Sequence, residues 1–250
     1  TVVVTGAGGY LGKWVVKGLV SRGAIVLALV SRDSPDITGI SSDCLRVIHG
    51  PFEKATGQIG ALLDSSNRKE KAVVHMAGIS NIQKCEGNPI GAFKSNTALT
   101  VEVLDFCVRN KIGTFIFPSS GLVYGDRLKR SALETDPTYP VNIYAATKLG
   151  AETMIKAYAN SFGLNYIIVR LANVSGEDLR TDTVIGRILK AARGNEKIVV
   201  RDLSPIRDFI QIHDAVVGIL SLLAGAKEIN RQTVNLSTGV GVSVKELAQT

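Results

Sequence analysis

Tyr144 and Lys148, in the run Tyr144-Ala-Ala-Thr-Lys148, carry the clearest chemistry in this 250-residue sequence. At i, i+4 on a helix, the phenol and the ammonium share one face, a turn apart. A phenol ionises near pH ~10, so a tyrosine works as a neutral-pH acid/base only where its anion is stabilised. Lys148 supplies a positive charge for that purpose. Ser120 lies upstream in Ser119-Ser120-Gly121-Leu122-Val123-Tyr124-Gly125 and can donate a hydrogen bond to a carbonyl or alkoxide oxygen. The Tyr-x-x-x-Lys spacing is common by itself. Its weight comes from following the serine segment at this distance, with a glycine-rich turn earlier in the chain.

That turn is Thr5-Gly6-Ala7-Gly8-Gly9-Tyr10-Leu11-Gly12, set between an apolar run and an amphipathic one. Its effective pattern is G-x-x-G-x-x-G. Gly6 permits the tight turn, Gly9 lets backbone approach a pyrophosphate, and Gly12 lets the helix pack on the strand. Gly6, Gly9, Tyr10, Leu11 and Gly12 are thus cofactor-binding candidates, with the helix N-terminus turned to the phosphates. The end of the second strand selects the dinucleotide. An NAD site places a carboxylate there, whereas Ser31-Arg32 offers a hydroxyl and a guanidinium that suit a 2′-phosphate. NADP(H) is the preferred expectation, and NAD(H) stays open if Asp33, one residue on, takes the acidic role. Met76, Ala77 and Gly78 end another strand with residues that let backbone lie against the cofactor. His75 before them reads as a packed, hydrogen-bonded core histidine.

Elements that could position these groups alternate along the first two-thirds of the chain. Residues 2–5, 25–30, 45–48, 72–75, 114–118 and 166–170 read as strands; 11–22, 89–110 and 144–162 read as helices. Nearly continuous apolar strands alternating with helices predict an α/β fold, a doubly wound parallel (Rossmann) sheet spanning residues 1–172. Residues 173–250 predict a smaller C-terminal substrate-binding lobe, with helices over 183–193 and 214–224 and strands over 197–200 and 234–236. A helix beginning at 243 is cut short, so the C-terminus reads as incomplete. The chain's opening directly on a strand suggests a trimmed leader.

Composition narrows the class. Cys44, Cys85 and Cys107 are widely spaced and odd in number, which fits free thiols in a reducing, cytoplasmic setting. The three histidines lack metal-ligand spacing, so no metal is expected. No apolar run is long enough to span a bilayer. The net charge of +7 is spread without a basic arm, which argues against a nucleic-acid partner; it fits solubility or the steering of small polyanions.

The ordered set 5–12, 75–78, 119–125, 144–148, Arg170-Leu-Ala-Asn173 and Arg207-Asp-Phe-Ile-Gln-Ile-His-Asp214 resembles the extended short-chain dehydrogenase/reductases. More narrowly it is similar to their nucleotide-sugar epimerase/dehydratase/reductase branch, over essentially the whole chain. The resemblance implies that Tyr144 is the acid/base, that Lys148 binds the nicotinamide ribose, and that Ser120 aligns the reacting oxygen. It implies that Asn96 completes the active site, and that Ser119, Ser120, Asn173 and Arg207 hold the substrate, a nucleotide-diphosphate sugar. Arg207 would grip the diphosphate, unless it forms a structural ion pair with Asp208 or Asp214. A homodimer is implied too, through the helices starting at Tyr144 and Pro89; Leu99, Val103 and Phe106 on one and Met154, Ala157 and Tyr158 on the other are the apolar residues that suggest it.

Two departures shape the expected activity. The family's Gly-Asp-Leu after the third strand is Gly50-Pro51-Phe52 here, leaving only backbone and packing contacts from Phe52 to the cofactor. The Asp-Glu pair that sugar dehydratases carry after the serine position is Gly121-Leu122, which disfavours dehydration. A 4-ketoreductase acting on a 4-keto-6-deoxy sugar is the leading expectation from Ser31-Arg32. A 4-epimerase is the alternative from the serine segment, and a non-catalytic NADP(H) sensor is the remote one.

Overall fold

The computed structural model describes residues 1–31, 37, 40, 42–66, 70–126, 130–176, 183–194 and 202–249. In chain order the elements are β1 (Val2–Thr5), α1 (Gly12–Ser21), β2 (Val26–Val30), β3 (Leu45–His49), α2 (Phe52–Ser65) and β4 (Ala72–His75). Next come α3 (Ile82–Gly87), α4 (Pro89–Phe93), a π-helical turn (Lys94–Ala98), α5 (Leu99–Arg109), β5 (Thr114–Ser120), a 3-10 turn (Gly121–Tyr124) and α6 (Ile143–Phe162). The remainder comprises β6 (Tyr166–Leu171), β7 (Asn173–Ser175), α7 (Val184–Gly194), β8 (Ile206–Gln211), α8 (Ile212–Ala224), β9 (Gln232–Leu236), β10 (Gly241–Ser243) and α9 (Val244–Gln249).

Seven strands form one parallel sheet in the order β3-β2-β1-β4-β5-β6-β9. Val2 pairs with Val26 on one side and with Ala72 on the other, so the winding reverses between β1 and β4. Ligands of doubly wound sheets bind at the carboxyl ends of the strands at such a reversal. The turn after Thr5 and the segment after His75 open there. Both faces of the sheet are covered. Phe115, Phe117 and Val73 pack with Ile59, Leu104 and Ile155 from α2, α5 and α6. On the opposite face Val4, Ala28 and Val74 pack with Val15, Val16 and Leu19 of α1 and Val216, Ile219 and Leu220 of α8. A second sheet, β10-β8-β7, stands beside the carboxyl edge.

Several expectations change. The single helix over 89–110 is α4 and α5 joined through the π turn, where the Leu99 N–H donates to the Lys94 carbonyl five residues back. Neither α2 nor α3 was expected. Phe52, Ala55, Ile59 and Leu63 line one buried face of α2, but Gly57 and Gly60 weaken its helical signal. β9 does not belong to the C-terminal lobe, because it extends the main sheet beside β6, and α8 packs on α1. The division at residue 172 therefore separates segments of chain more cleanly than layers of structure. Val103 and Phe106, suggested as dimer surface, are buried in the protomer's own core; Phe106 meets Phe52 edge to face. The strand expected at 197–200 lies outside the described residues. Among the described residues no helix is long and apolar enough to cross a membrane, and no cluster of histidine, cysteine or carboxylate groups could hold a metal ion.

Candidate active site

The glycine turn leaves β1 as a cradle. Gly6 has φ +64°, and a Cβ there would lie 2.6 Å from the Ala77 amide nitrogen. A Cβ on Gly12 would strike the Gly6 carbonyl, so the start of α1 lies tight on the turn. No side chain caps α1, whose N-terminus faces the reversal point with its positive dipole end. Gly9 is exposed, and Tyr10 and Leu11 are partly so. Met76 and Ala77 close the opposite wall, their amides bonded to the Thr5 carbonyl and the Thr5 hydroxyl.

Behind this cradle runs a buried hydrogen-bond chain. The Thr100 hydroxyl donates to the Asn96 carbonyl at 2.7 Å, so it accepts from His75 Nε2–H at 3.1 Å. His75 Nδ1 then accepts from the Thr5 hydroxyl at 2.7 Å. That polarity assigns the Nε2–H tautomer and a neutral ring. Burial, helped by the charge of Lys148, holds the His75 pKa down to about 3 from an ordinary 6.5. An unfolded chain therefore binds a proton that the folded one refuses as pH falls below 6.5, and stability drops across that window toward about 3. His75→Gln removes this titration. Urea unfolding of wild type and His75→Gln should show the wild-type advantage shrinking from pH 7 to pH 4.5; an unchanged advantage would contradict the assignment.

Asn96 does not present its amide to a substrate. Its Oδ1 accepts from Ile79 N at 2.7 Å, and its Nδ2 donates to the Ile79 carbonyl and to Thr147 Oγ1, both at 3.0 Å. The Thr147 hydroxyl donates onward to the Tyr144 carbonyl. Asn96, expected among the reacting groups, thus ties the loop after β4 to the first turns of α6.

Tyr144 and Lys148 stand on those first turns, entered through Asn142, whose side chain caps the helix by accepting from the Ala145 amide. Tyr144 is partly buried. Lys148 is buried, with Nζ 3.9 Å from the centre of the Phe117 ring and no hydrogen-bond partner among the described residues. Burial draws its pKa down to about 7, against the raising influence of Glu152. Ser120 ends β5, where its Oγ accepts from the Leu122 amide at 3.2 Å. That bond fixes the oxygen and leaves the hydroxyl hydrogen available as a donor. α6 packs against both β5 and the 3-10 turn, which brings the three residues to one edge of the sheet.

Other expected residues are placed differently. The Ser119 hydroxyl is buried and bonded to Glu152 at 2.5 Å, on the face opposite Ser120, so it is structural rather than a substrate contact. The Phe52 ring is core, not cofactor wall. Ser31 is exposed beyond β2, and Arg32 lies outside the described residues. Asn173 in β7 is exposed and donates to the Asp208 carbonyl at 3.3 Å. Arg207 makes no ion pair among the described residues; it bonds only the Ile206 carbonyl, while the Asp208 carboxylate is committed to Thr238 and Gly239. The structural ion pair considered for Arg207 is thus not formed with either aspartate. Glu152 and Arg170 were missed. Opposite charges falling at core positions of α6 and β6 were the available signal, since such charges must pair.

A doubly wound sheet with a glycine cradle at its reversal and serine, tyrosine and lysine at the same edge defines a nicotinamide-dependent enzyme of the extended short-chain dehydrogenase/reductase type. The residues fit the dinucleotide: an uncapped helix start over a turn that excludes side chains would take the pyrophosphate, and the Lys148 ammonium, which has no hydrogen-bond partner among the described residues, would take the ribose hydroxyls. The chain belongs to the NAD dependent epimerase/dehydratase family, whose model matches residues 2–237. It is 28% identical over 271 residues to the UDP-glucose 4-epimerase of Azospirillum brasilense, covering 100% of this chain and 76% of that protein. It is 27% identical over 268 residues to the UDP-glucose 4-epimerase of Halalkalibacterium halodurans, covering 99% and 78%. Among solved structures, UDP-glucose 4-epimerase from Thermotoga maritima superposes with a TM-score of 0.87 at 22% identity, covering 99% of this chain and 80% of that one, a likeness of fold. MoeE5 in complex with UDP-glucose and NAD superposes with a TM-score of 0.82 at 28% identity, covering 99% and 79%.

Proposed function

We propose that the protein is an NAD-dependent nucleotide-sugar 4-epimerase. The observation that carries this is the Ser120–Tyr144–Lys148 set at the edge of a dinucleotide cradle, in a chain whose curated relatives include UDP-glucose 4-epimerases. In this reading the Tyr144 phenolate takes the proton from a sugar hydroxyl and later returns it, while the Ser120 hydroxyl donates to the same oxygen. Lys148 keeps the phenolate accessible near neutrality by its charge. The nicotinamide supplies reversible hydride acceptance at the carbon bearing that hydroxyl. Epimerisation requires the resulting ketosugar to present its other face before hydride returns. Arg207, with its guanidinium free of carboxylate partners among the described residues, is assigned to the diphosphate together with Asn173. The 3-10 turn carries no carboxylate at Gly121 or Leu122, which speaks against elimination chemistry.

The reductase reading keeps one specific support, the Ser31-Arg32 sequence at the end of β2, which suits NADP(H). The relatives favour the epimerase, and NAD is the cofactor named with MoeE5, so we assign NAD(H). The homodimer stays within this proposal. With Val103 and Phe106 in the protomer core, its face would rest on Met154, Tyr158 and the exposed Phe162 of α6.

Incubation with UDP-glucose, UDP-galactose and 4-keto sugars, with each cofactor, tests the function. Interconversion of the two UDP-sugars without net change in nicotinamide absorbance is expected. Stoichiometric NADPH consumption with a 4-keto sugar, and no interconversion, would replace the epimerase with the reductase.

A further inference from the structure

Ser119, Arg170 and Asn235 form a row across three strands, Ser119 paired with Arg170 and Arg170 with Asn235. Glu152 reaches into this row from α6. Its Oε1 accepts from the Ser119 hydroxyl at 2.5 Å and from Arg170 Nε at 3.2 Å; its Oε2 accepts from Arg170 Nη2 at 2.7 Å. Arg170 lies 4.7 Å from the centre of the Tyr124 ring, and the Tyr124 hydroxyl donates to Asn235 Oδ1 at 2.7 Å. Glu152 is fully buried and Arg170 nearly so.

We propose that Glu152 is a positioning residue for the reaction: it joins the catalytic helix to the strand that ends in Ser120 and serves as the buried counter-charge of Lys148. Three placements carry this. Ser119, which Glu152 grips, is the residue before Ser120. Lys148 is one helical turn before Glu152 on the same buried face of α6. Arg170 clamps the same carboxylate to β6, and its guanidinium lies against the ring of Tyr124 in the turn that follows Ser120. A buried ion pair contributes little net stability compared with apolar residues of the same size, so stability alone gives a weak reason for placing one here. The charged or titratable groups around the pair are Lys148 on its own helix, His75 from β4, Arg170 and Tyr166 from β6, and Tyr124 from the 3-10 turn. Among these, Glu152 is the anion that favours the charged form of Lys148, against burial.

The kinetic consequence rests on the epimerase reading; the effect on Lys148 does not. Two variants separate positioning from packing. Glu152→Gln keeps the shape and removes the charge. Glu152→Leu combined with Arg170→Met replaces the whole pair with apolar side chains, so folding does not depend on an orphaned guanidinium. In protein labelled at lysine side chains, with Lys148→Arg assigning the signal, NMR titration should show the Lys148 midpoint moving to lower pH in both variants. With sugar turnover as the second readout, kcat at pH 8 should fall about tenfold as the charged fraction of Lys148 falls, with KM little changed. If Glu152→Gln fails to fold, the paired variant decides alone. A Lys148 midpoint and a pH–kcat profile identical to wild type in a folded variant would overturn the proposal and leave the network as packing. Should the wild type turn over no nucleotide sugar, the epimerase reading fails, and the Lys148 midpoint still decides this one.

Discussion

Tyr144→Phe is expected to lower kcat by ~10²–10⁴-fold, the range for a positioned proton donor and acceptor, while cofactor binding and thermal midpoint stay close to wild type. The ring is partly buried at the start of α6, and the variant retains it. The phenolic oxygen is what is lost, and with it the group that moves a proton to and from the sugar. Ser120 is a poor substitute: an aliphatic hydroxyl is a far weaker acid than a phenol, and its oxygen already accepts from the Leu122 amide. Single-turnover rates with NAD and a UDP-sugar, alongside cofactor titration, are the check. A wild-type rate in Tyr144→Phe would remove the phenol from the mechanism and favour a non-catalytic nucleotide sensor.

Lys148→Met is expected to stabilise the protein while disabling it. The ammonium is buried, with a pKa of about 7 against 10.5 in the open. Between those values the unfolded chain holds a proton that the folded chain releases, so wild-type stability is greatest above pH 10.5 and falls as pH drops to about 7. At neutral pH the cost is on the order of a few kcal/mol. Methionine keeps the reach of the stem over Phe117 and removes the charge, so its unfolding midpoint should exceed wild type at pH 7, with the gap closing toward pH 10. The same change withdraws the stabilisation of the Tyr144 phenolate and the donors for a ribose, so kcat should fall ~10²-fold or more and cofactor affinity should drop. A stability optimum given up for activity is common at catalytic sites. Differential scanning calorimetry from pH 7 to 10 tests the first half; a variant less stable than wild type throughout would contradict the buried-charge account.

The sheet was legible where apolar runs end in glycine or small residues. β1 with its turn, β4 with 76–78 and α6 with Tyr144 and Lys148 follow from local pattern alone. What escaped were features set by distant partners. β9 reads as a short strand of the C-terminal lobe, and only its pairing with β6 puts it in the main sheet. The π turn adds one residue to a helix and shifts the face without altering composition, so 89–110 scans as one helix although Asn96 and Thr97 are turned together onto α6. Phe52 sits where the family addresses adenine, but as the first residue of α2 its ring points at Phe106. Ser119 and Ser120 are adjacent in sequence, and strand alternation sends them to opposite faces, one to Glu152 and one to the active edge.

The nicotinamide released by heat or acid from freshly purified protein tests the central claim most directly, read by mass spectrometry and by enzymatic cycling specific for each form. An epimerase reoxidises or re-reduces its own cofactor within each turnover and has no need to exchange it. The account predicts NAD(H) in near-equimolar amount with the protein, and interconversion of UDP-glucose and UDP-galactose with no cofactor added. Protein that emerges empty, binds NADPH in preference to NADH, and consumes it with each sugar reduced would contradict the account.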